Sequence, residues 1–499
     1  VTGRAAWIAG LVGVYVLVSV LGWHRTLIND EIWYLVNAAL PLTEYLETLR
    51  LDLTHPPLMY LLERLAMDAF GHSDAVVKGL VVLLGALSIS AFVVLSSLVV
   101  PRWRLCSALF CSAYLQVGGV PNLARGYSFG LLLTVVALLV WELWRRRPRP
   151  GLLAVWAAVM VALVYTHYVG LLLLGPFAVV NWWYGHRRWV FALTACAIGL
   201  AFLPWFVVVF PVYQSRGLDQ NLGWIHLTPL QILATLPFHL LSYLPAGWNP
   251  LGENDWPRSL EGKRVLVVAA LAVHAILAVL AFSRARQYWP PWKPRDTTGV
   301  WLWSTLLLMT APVAALFAFS VIVSPAFDAR FVAFVLPMYW LLMTLAAGFG
   351  GPAARGVIVA VVVPWLVVSV SVPLVRALRG EGLYRSVAVV DRELAPGDMV
   401  LAERLAAPQL YWEWTRRFRR NEPIVIISAQ PRGSTPRVMP STRLEHLNLD
   451  NVDRVWFFST PHNPDNVADI KALAIDRGFR EASPPSWPDR PYVTLFQRR

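Results

Sequence analysis

Charge is what this chain has least of. Only 15% of its 499 residues are Asp, Glu, Lys or Arg, against about 25% in soluble globular domains. With 57% hydrophobic residues, too little polar material remains to coat a water-facing surface. That excludes a disordered chain, a fibrous repeat and an ordinary cytosolic enzyme. Cysteine is scarce as well. Cys106, Cys111 and Cys196 all lie in apolar runs, so neither a disulfide framework nor a cysteine metal site is encoded. The sequence also lacks internal repeats and low-complexity segments. What it has in abundance is aromatic: 24 Trp and 22 Phe, and aromatic side chains gather at membrane–water interfaces. This is the composition of an integral membrane protein.

A helix needs about 20 apolar residues to cross the hydrocarbon core. Eleven segments qualify, at about 5–22, 75–100, 105–120, 127–144, 151–166, 168–184, 189–213, 264–283, 299–322, 331–350 and 355–375. The fifth and sixth form one apolar stretch broken at Thr166-His167-Tyr168, where a tight hairpin is expected. The first is too long for a signal-peptide core and lacks a small-x-small cleavage pattern before Trp23, so it is expected to be retained.

Lys and Arg in short loops set the orientation, because basic loops stay on the cytoplasmic side. With the N-terminus inside, the cytoplasmic segments hold Arg4, Arg102, Arg104, Arg145, Arg146, Arg147, Arg149, Arg187, Arg188, Arg284, Arg286, Lys293, Arg295 and Arg355, against Asp296 as their sole acid. This sorting accounts for most of the formal charge of +13, and no nucleic-acid partner is expected. Eleven spans then place the C-terminus outside. The expected organisation is a transmembrane domain over residues 1–375 and a soluble extracytoplasmic domain over 376–499. The latter alternates short apolar strands (Met399–Glu403, Pro423–Ser428, Arg454–Thr460, Tyr492–Gln497) with helical stretches (Leu383–Leu394, Pro408–Arg420, Asn466–Arg477). That pattern argues a small α/β domain. It contains no Gly-rich phosphate loop, which argues against a nucleotide site.

Chemistry is expected to concentrate in the loop between the first two spans. Asp30-Glu31 places two carboxylates at the outer membrane surface. Behind them Ile32, Leu35, Val36, Ala39 and Leu40 recur at helical spacing, and so do Leu58, Leu61, Leu62, Leu65, Ala66 and Ala69 after Thr54-His55-Pro56-Pro57. Proline suits the first turn of a helix, whose N–H groups have no intrahelical partner. Two short amphipathic helices are expected along the outer interface. Taken singly, each of these residues reads equally well as a solvated loop or a helix cap.

Taken together they form an ordered set. Asp30-Glu31, the run Thr54-His55-Pro56-Pro57-Leu58-Met59-Tyr60-Leu61-Leu62, Ala124-Arg125-Gly126-Tyr127-Ser128, Thr166-His167-Tyr168, and Phe327-Asp328-Ala329-Arg330-Phe331 before a span containing Pro337 follow one another at consistent spacing. The set resembles the bacterial branch of the membrane glycosyltransferases of GT-C architecture, relatives of the protein O-mannosyltransferases and of the transferase that adds aminoarabinose to lipid A (glycosyltransferase family 39-like). The resemblance covers roughly residues 1–350.

The resemblance implies an α-helical polytopic membrane enzyme. Its donor would be a polyprenyl-phosphate-linked sugar, and its acceptor a hydroxyl of an envelope glycan, a lipid or a protein. It places the catalytic carboxylate at Asp30, with Glu31 either orienting it or binding the acceptor. His55 inherits the position that in relatives holds Lys or His near the lipid phosphate. The elementary requirements agree. Such a transfer needs a base within reach of the attacking hydroxyl and positive or hydrogen-bonding groups where charge develops on the departing phosphate. The outside-facing candidates for that second role are Arg125, Arg330, His55 and Lys78. Arginine is favoured because it grips phosphate oxygens in pairs, although an interfacial Arg also serves as a head-group anchor. Tyr127, His167, Tyr168 and Asp328 are candidates for the sugar or acceptor pocket; for the aromatic ones, packing at the membrane interface is the alternative. No cofactor and no essential metal are expected. His274 is read as a neutral histidine bonded between helices, and the amphipathic stretch Thr228–Leu244 with Trp248-Asn249-Pro250 as a lid. The competing reading is a transporter or flippase of lipid-linked sugars. It would call for half-repeats and midplane charges, whereas the charges here cluster at one face.

Overall fold

The structure is a computed structural model. It describes residues 2–21, 27, 29–38, 40–52, 55–100, 124–216, 228–230, 296–324, 326–327, 329–349, 382–403, 410–411, 424–427, 441–442, 446–459, 464–482 and 493–498, with isolated positions elsewhere. The expected spans at 105–120, 264–283 and 355–375, His274, most of Thr228–Leu244 with Trp248-Asn249-Pro250, and most of Pro408–Arg420 lie outside the described residues. Packing groups the chain into two units. One comprises Val1–Trp23, Leu49–Ala66 and Ala75–Leu374; the other comprises His24–Thr48, Met67–Asp74 and Val375–Arg499.

The first unit is helical. Among its described residues, Asp74–Val99, Gly126–Arg146 and Thr297–Ile322 are each long and apolar enough to cross a membrane. Arg188–Ala201 and Leu203–Ser215 meet that test together, bent by 43°. Ala5–Val20, Pro150–Thr166, Val169–Tyr184 and Ala333–Ala346 are apolar but shorter. Local signals mark the helix ends. Pro150 stands in the first turn of its helix. The Asp296 carboxylate caps Thr297–Ile322 by accepting the Gly299 N–H at 2.9 Å, filling one of the orphan donors of the first turn. The break expected at Thr166-His167-Tyr168 is present: one helix ends at Thr166, His167 is extended, and the next begins at Val169. The segment expected as one span at 331–350 opens differently, as a 3-10 helix over Ala329–Val335 that becomes α-helical at Leu336–Phe349. Pro337 lies in the first turn of the α-helical part, where its missing N–H is tolerated. Gly126–Arg146 packs chiefly along Pro150–Thr166, and Thr297–Ile322 along Val169–Tyr184 and Leu336–Phe349.

The second of the amphipathic helices expected along the outer interface is present as Leu58–Phe70. In the helix Leu58–Phe70 the buried residues include Met59, Tyr60 and Glu63, while Leu65 and Phe70 are 65% and 80% exposed. Of the apolar stripe read from sequence, Leu65 and Ala69 are exposed, while Leu58, Leu61, Leu62 and Ala66 are half-buried. Lipid is itself an apolar partner, so such a stripe need not mark the protein core, and the inward side is free to be polar.

The second unit holds a six-stranded sheet in the order β3-β2-β1-β4-β6-β5. The strands are β1 Asp398–Glu403, β2 Ile424–Ile427, β3 Ser441–Thr442, β4 Arg454–Phe458, β5 Phe479–Ala482 and β6 Val493–Arg498. β3, β2, β1 and β4 run parallel, while β6 is antiparallel to both β4 and β5. Alternate residues feed opposite cores, as the period of two demands. Val400, Ala402, Trp456, Phe458 and Leu495 pack with Val387 and Val390 of the helix Gly382–Glu393. Leu401, Val455, Phe457 and Phe496 pack with Ile470 and Ala474 of the helix Pro464–Asp476. Cover on both faces explains why β4 reads as an unbroken apolar run. The Arg454 guanidinium donates twice to Asp398, at 2.9 and 2.7 Å, and Trp456 Nε1 donates to the same carboxylate at 2.9 Å, tying β1 to β4. The strands expected around 399, 423, 454 and 492 are present. β3 and β5 were not anticipated.

Candidate active site

The site assembles at the start of the Gly126–Arg146 helix. Arg125 is the residue before that helix and is extended, with φ −151° and ψ 173°. It is only 6% exposed. One guanidinium nitrogen lies 3.2 Å from Nδ1 of His55, itself 3% exposed. Arginine carries donors only, so Arg125 donates and Nδ1 accepts, which leaves the neutral imidazole of His55 with its proton on Nε2. His55 is held in the turn before Pro56-Pro57, whose helix starts where the Leu61 N–H reaches the Pro57 carbonyl at 3.0 Å.

His167 comes from the extended break between two helices and is 3% exposed. Its Nδ1 accepts the Val169 N–H at 3.2 Å, so its proton too is on Nε2. Its ring centroid lies 4.9 Å from that of His55, 5.4 Å from Tyr127, 5.7 Å from Phe331 and 4.7 Å from Phe334. Tyr127 meets the His55 ring edge-on at 5.7 Å and underlies the Arg125 guanidinium at 5.9 Å. Burial, and secondarily the neighbouring Arg125 charge, push the His167 pKa down to about 3. Both causes penalise a charged imidazole, so His167 is neutral at any physiological pH.

Two glycines permit this closeness. A Cβ on Gly126 would sit 2.8 Å from the carbonyl oxygen of Thr166, and one on Gly130 would collide with the Phe334 ring. The helix therefore lies directly against the His167 turn and the 3-10 segment, bringing Arg125 and Tyr127 to the imidazoles.

Of the residues singled out from sequence, His55, Arg125, Tyr127 and His167 come together. Lys78, 8% exposed, is buried on the Asp74–Val99 helix. Tyr168 neighbours His167 in the chain, but its hydroxyl accepts from Trp205 Nε1 at 3.3 Å and its ring packs on Phe202. Glu31 belongs to the other unit and is fully buried in the helix Asn29–Asn37. Asp30 lies in the same helix; its side chain, Asp328 and the Arg330 side chain lie outside the described residues. Sequence reasoning passed over Tyr60, Phe331 and Phe334. Tyr60 meets the His55 ring edge-on at 6.1 Å. Phe331 and Phe334 are three apart in a 3-10 helix, where such residues eclipse, and both contact His167. Tyr60 and Phe331 stand inside the very motifs quoted for the resemblance, which was the available signal.

Chemically the cluster is a buried cation with two neutral imidazoles of fixed tautomer, walled by aromatic rings. It is suited to an anion that carries an apolar or sugar substituent. Among the described residues no three His, Cys, Asp or Glu side chains group as a metal site.

No family model matches the chain, and no curated protein matches it. Among solved structures it is similar to ArnT from Cupriavidus metallidurans bound to undecaprenyl phosphate, with a TM-score of 0.55 and 13% identity over 98% of each chain. The apo state of ArnT gives a TM-score of 0.56 and 13% identity over 99% of this chain and 98% of that one. The archaeal oligosaccharyltransferase AglB from Archaeoglobus fulgidus, in complex with an inhibitory peptide and a dolichol-phosphate, aligns with a TM-score of 0.44 and 13% identity over 94% of this chain and 71% of its own. The fold is GT-C. At this identity the likeness to ArnT is one of fold.

Proposed function

We propose that this chain is an inverting glycosyltransferase that moves a sugar from polyprenyl phosphate to an acceptor hydroxyl of an envelope glycan, a lipid or a protein. The observation that carries the reading is the buried His55–Arg125–His167 cluster in a chain with the fold of ArnT, which is known with undecaprenyl phosphate bound. In this reading the chain is a multi-pass cell-membrane protein. Its N-terminus is cytoplasmic, and its reaction and its soluble C-terminal domain are on the extracytoplasmic side, as the basic loops argue.

Asp30 takes the acceptor proton. The acceptor oxygen attacks the anomeric carbon from the side opposite the phosphate, and the C1–O bond breaks with its electron pair on the phosphate. Arg125 and His55 face that growing charge, and Arg330 and Lys78 complete the positive field. Preorganised donors of this kind act where charge develops, and burial strengthens them. Glu31 orients Asp30 or holds the acceptor. Tyr127, Tyr168 and Asp328 border the sugar or the acceptor. The step requires no cofactor.

The test is Asp30→Asn in the purified full-length chain. Loss of a general base is expected to slow transfer by about 10²–10⁴-fold with the melting temperature unchanged. Undiminished transfer rules out Asp30 as the base. Net movement of a lipid-linked sugar across vesicles, without transfer, replaces the enzyme with a flippase.

A further inference from the structure

We infer that His167 is a phosphate-binding donor: its Nε2–H hydrogen-bonds an oxygen of the polyprenyl phosphate beside Arg125, and it neither gives nor takes a proton in the reaction. The inference rests on the glycosyltransferase reading and moves His167 from the sugar pocket to the leaving group. Its basis is geometric. The Val169 N–H occupies Nδ1, so the proton is on Nε2. That nitrogen is buried with no hydrogen-bond partner among the described residues. A buried donor left unmade is costly, so one kept in a native site calls for a use. The surroundings say which use. Rings of His55, Tyr127, Phe331 and Phe334 enclose the imidazole, and burial, with the Arg125 charge second, disfavours its protonation. The ring therefore stays uncharged, and as a neutral donor it adds to the pull of Arg125 without repelling it. Among the described residues, the ionisable groups around the ring are Arg125, His55 and Tyr127.

In the transfer, the acceptor O–H breaks toward Asp30, the acceptor oxygen bonds C1, and the C1–O bond to phosphate breaks with its electrons on the phosphate. His167 keeps its proton throughout. Its hydrogen bond shortens as charge arrives on the phosphate, so it favours departure of polyprenyl phosphate as well as binding.

The experiment measures binding of undecaprenyl phosphate to the purified full-length chain, with wild type, His167→Phe, His167→Gln and Arg125→Met compared between pH 5.5 and 8. Phe keeps a ring but loses the donor; Gln restores a donor near the Nε2 position. His167→Phe is expected to weaken binding by about tenfold to a hundredfold, the range for a hydrogen bond to a charged group. His167→Gln should recover most of it, and the ratio of wild-type to Phe affinity should be flat with pH. His167→Leu replaces Phe in the comparison if Phe prevents folding. Equal affinities of wild type and Phe, with Arg125→Met still impaired, overturn the role of His167 alone. So does a Gln variant as weak as Phe, or a ratio that titrates near pH 6.5. Inorganic phosphate is the parallel arm: a donor effect on it without one on the lipid also overturns the inference. Wild type that binds no undecaprenyl phosphate overturns the glycosyltransferase reading itself.

Discussion

The two ends of the Gly126–Arg146 helix, with Gly126 and Glu142 about 24 Å apart at 1.5 Å per residue, both bury polar groups between helices but finish them differently. At the far end Glu142 is fully buried and every acceptor position is filled. Arg145 donates at 2.8 and 2.9 Å, Arg146 at 2.6 Å and Trp301 Nε1 at 3.2 Å. Arg146 also reaches the Leu98 carbonyl at 2.6 Å, so three helices are tied through one carboxylate. At the near end Arg125 and the two imidazoles meet, and the His167 Nε2–H is left over. A completed network of this kind holds helices together. In the inference drawn above, the donor left over at the near end is completed by the lipid phosphate.

Removing Glu142 breaks the completed end. Glu142→Leu strands the Trp301 N–H and the two guanidinium groups. A loss of about 3 kcal/mol is expected, the low end of the range for breaking a buried pair, because Arg146 is 39% exposed and keeps part of its solvation. Chemical unfolding in mixed micelles measures it. Affinity for undecaprenyl phosphate in the folded fraction should stay within about twofold, since the change is additive with a distant site. A stable variant that no longer binds the lipid would erase the distinction between the two ends.

The sequence showed these two ends unequally. The apolar spans and the break at His167 are local patterns, and hydrophobic periodicity reports them directly. Strands β1, β2, β4 and β6 were legible for the same reason. β3, of two residues, is too short to carry a period. The meeting of His55 with Arg125, seventy positions apart, has no local signature at all; only the ordered set of motifs put those residues in one place. The bond from Trp301 to Glu142 has no local signature either, because 159 positions separate the two. The inward turn of Glu63 was hidden by a different cause. Where lipid accepts the apolar face, periodicity says that a helix has two sides but not which one is inside.

Gly126→Ala sharpens the comparison at the near end. The added Cβ would lie 2.8 Å from the Thr166 carbonyl, which is backbone and cannot swing aside. Overpacking of this kind costs about 2 kcal/mol, and the helix must withdraw from the His167 turn. Undecaprenyl phosphate binding should weaken along with stability, unlike the effect of Glu142→Leu. Gly175→Ala is the control: nothing lies within 4 Å of its added Cβ, and alanine is the better helix former. If both alanines behave alike, the close approach does not position Arg125.

The smallest effect expected is on the pH dependence of stability, and it belongs to the near end alone. His167 is held neutral down to about pH 3 in the folded chain, while in the unfolded chain it takes up a proton near pH 6.5. Above that pH neither state binds the proton, and the group contributes no pH dependence. As pH falls from 7 to 5.5 the unfolded state gains a proton that the folded state refuses, so stability falls, by about 1 kcal/mol from this group. The loss continues toward pH 3, where the folded chain begins to bind the proton as well. His167→Gln has nothing to titrate, so its stability should decline less over the same interval, and the difference between the two curves isolates the residue. Parallel curves would mean that His167 ionises alike in both states, and the buried neutral donor on which the near end depends would be lost.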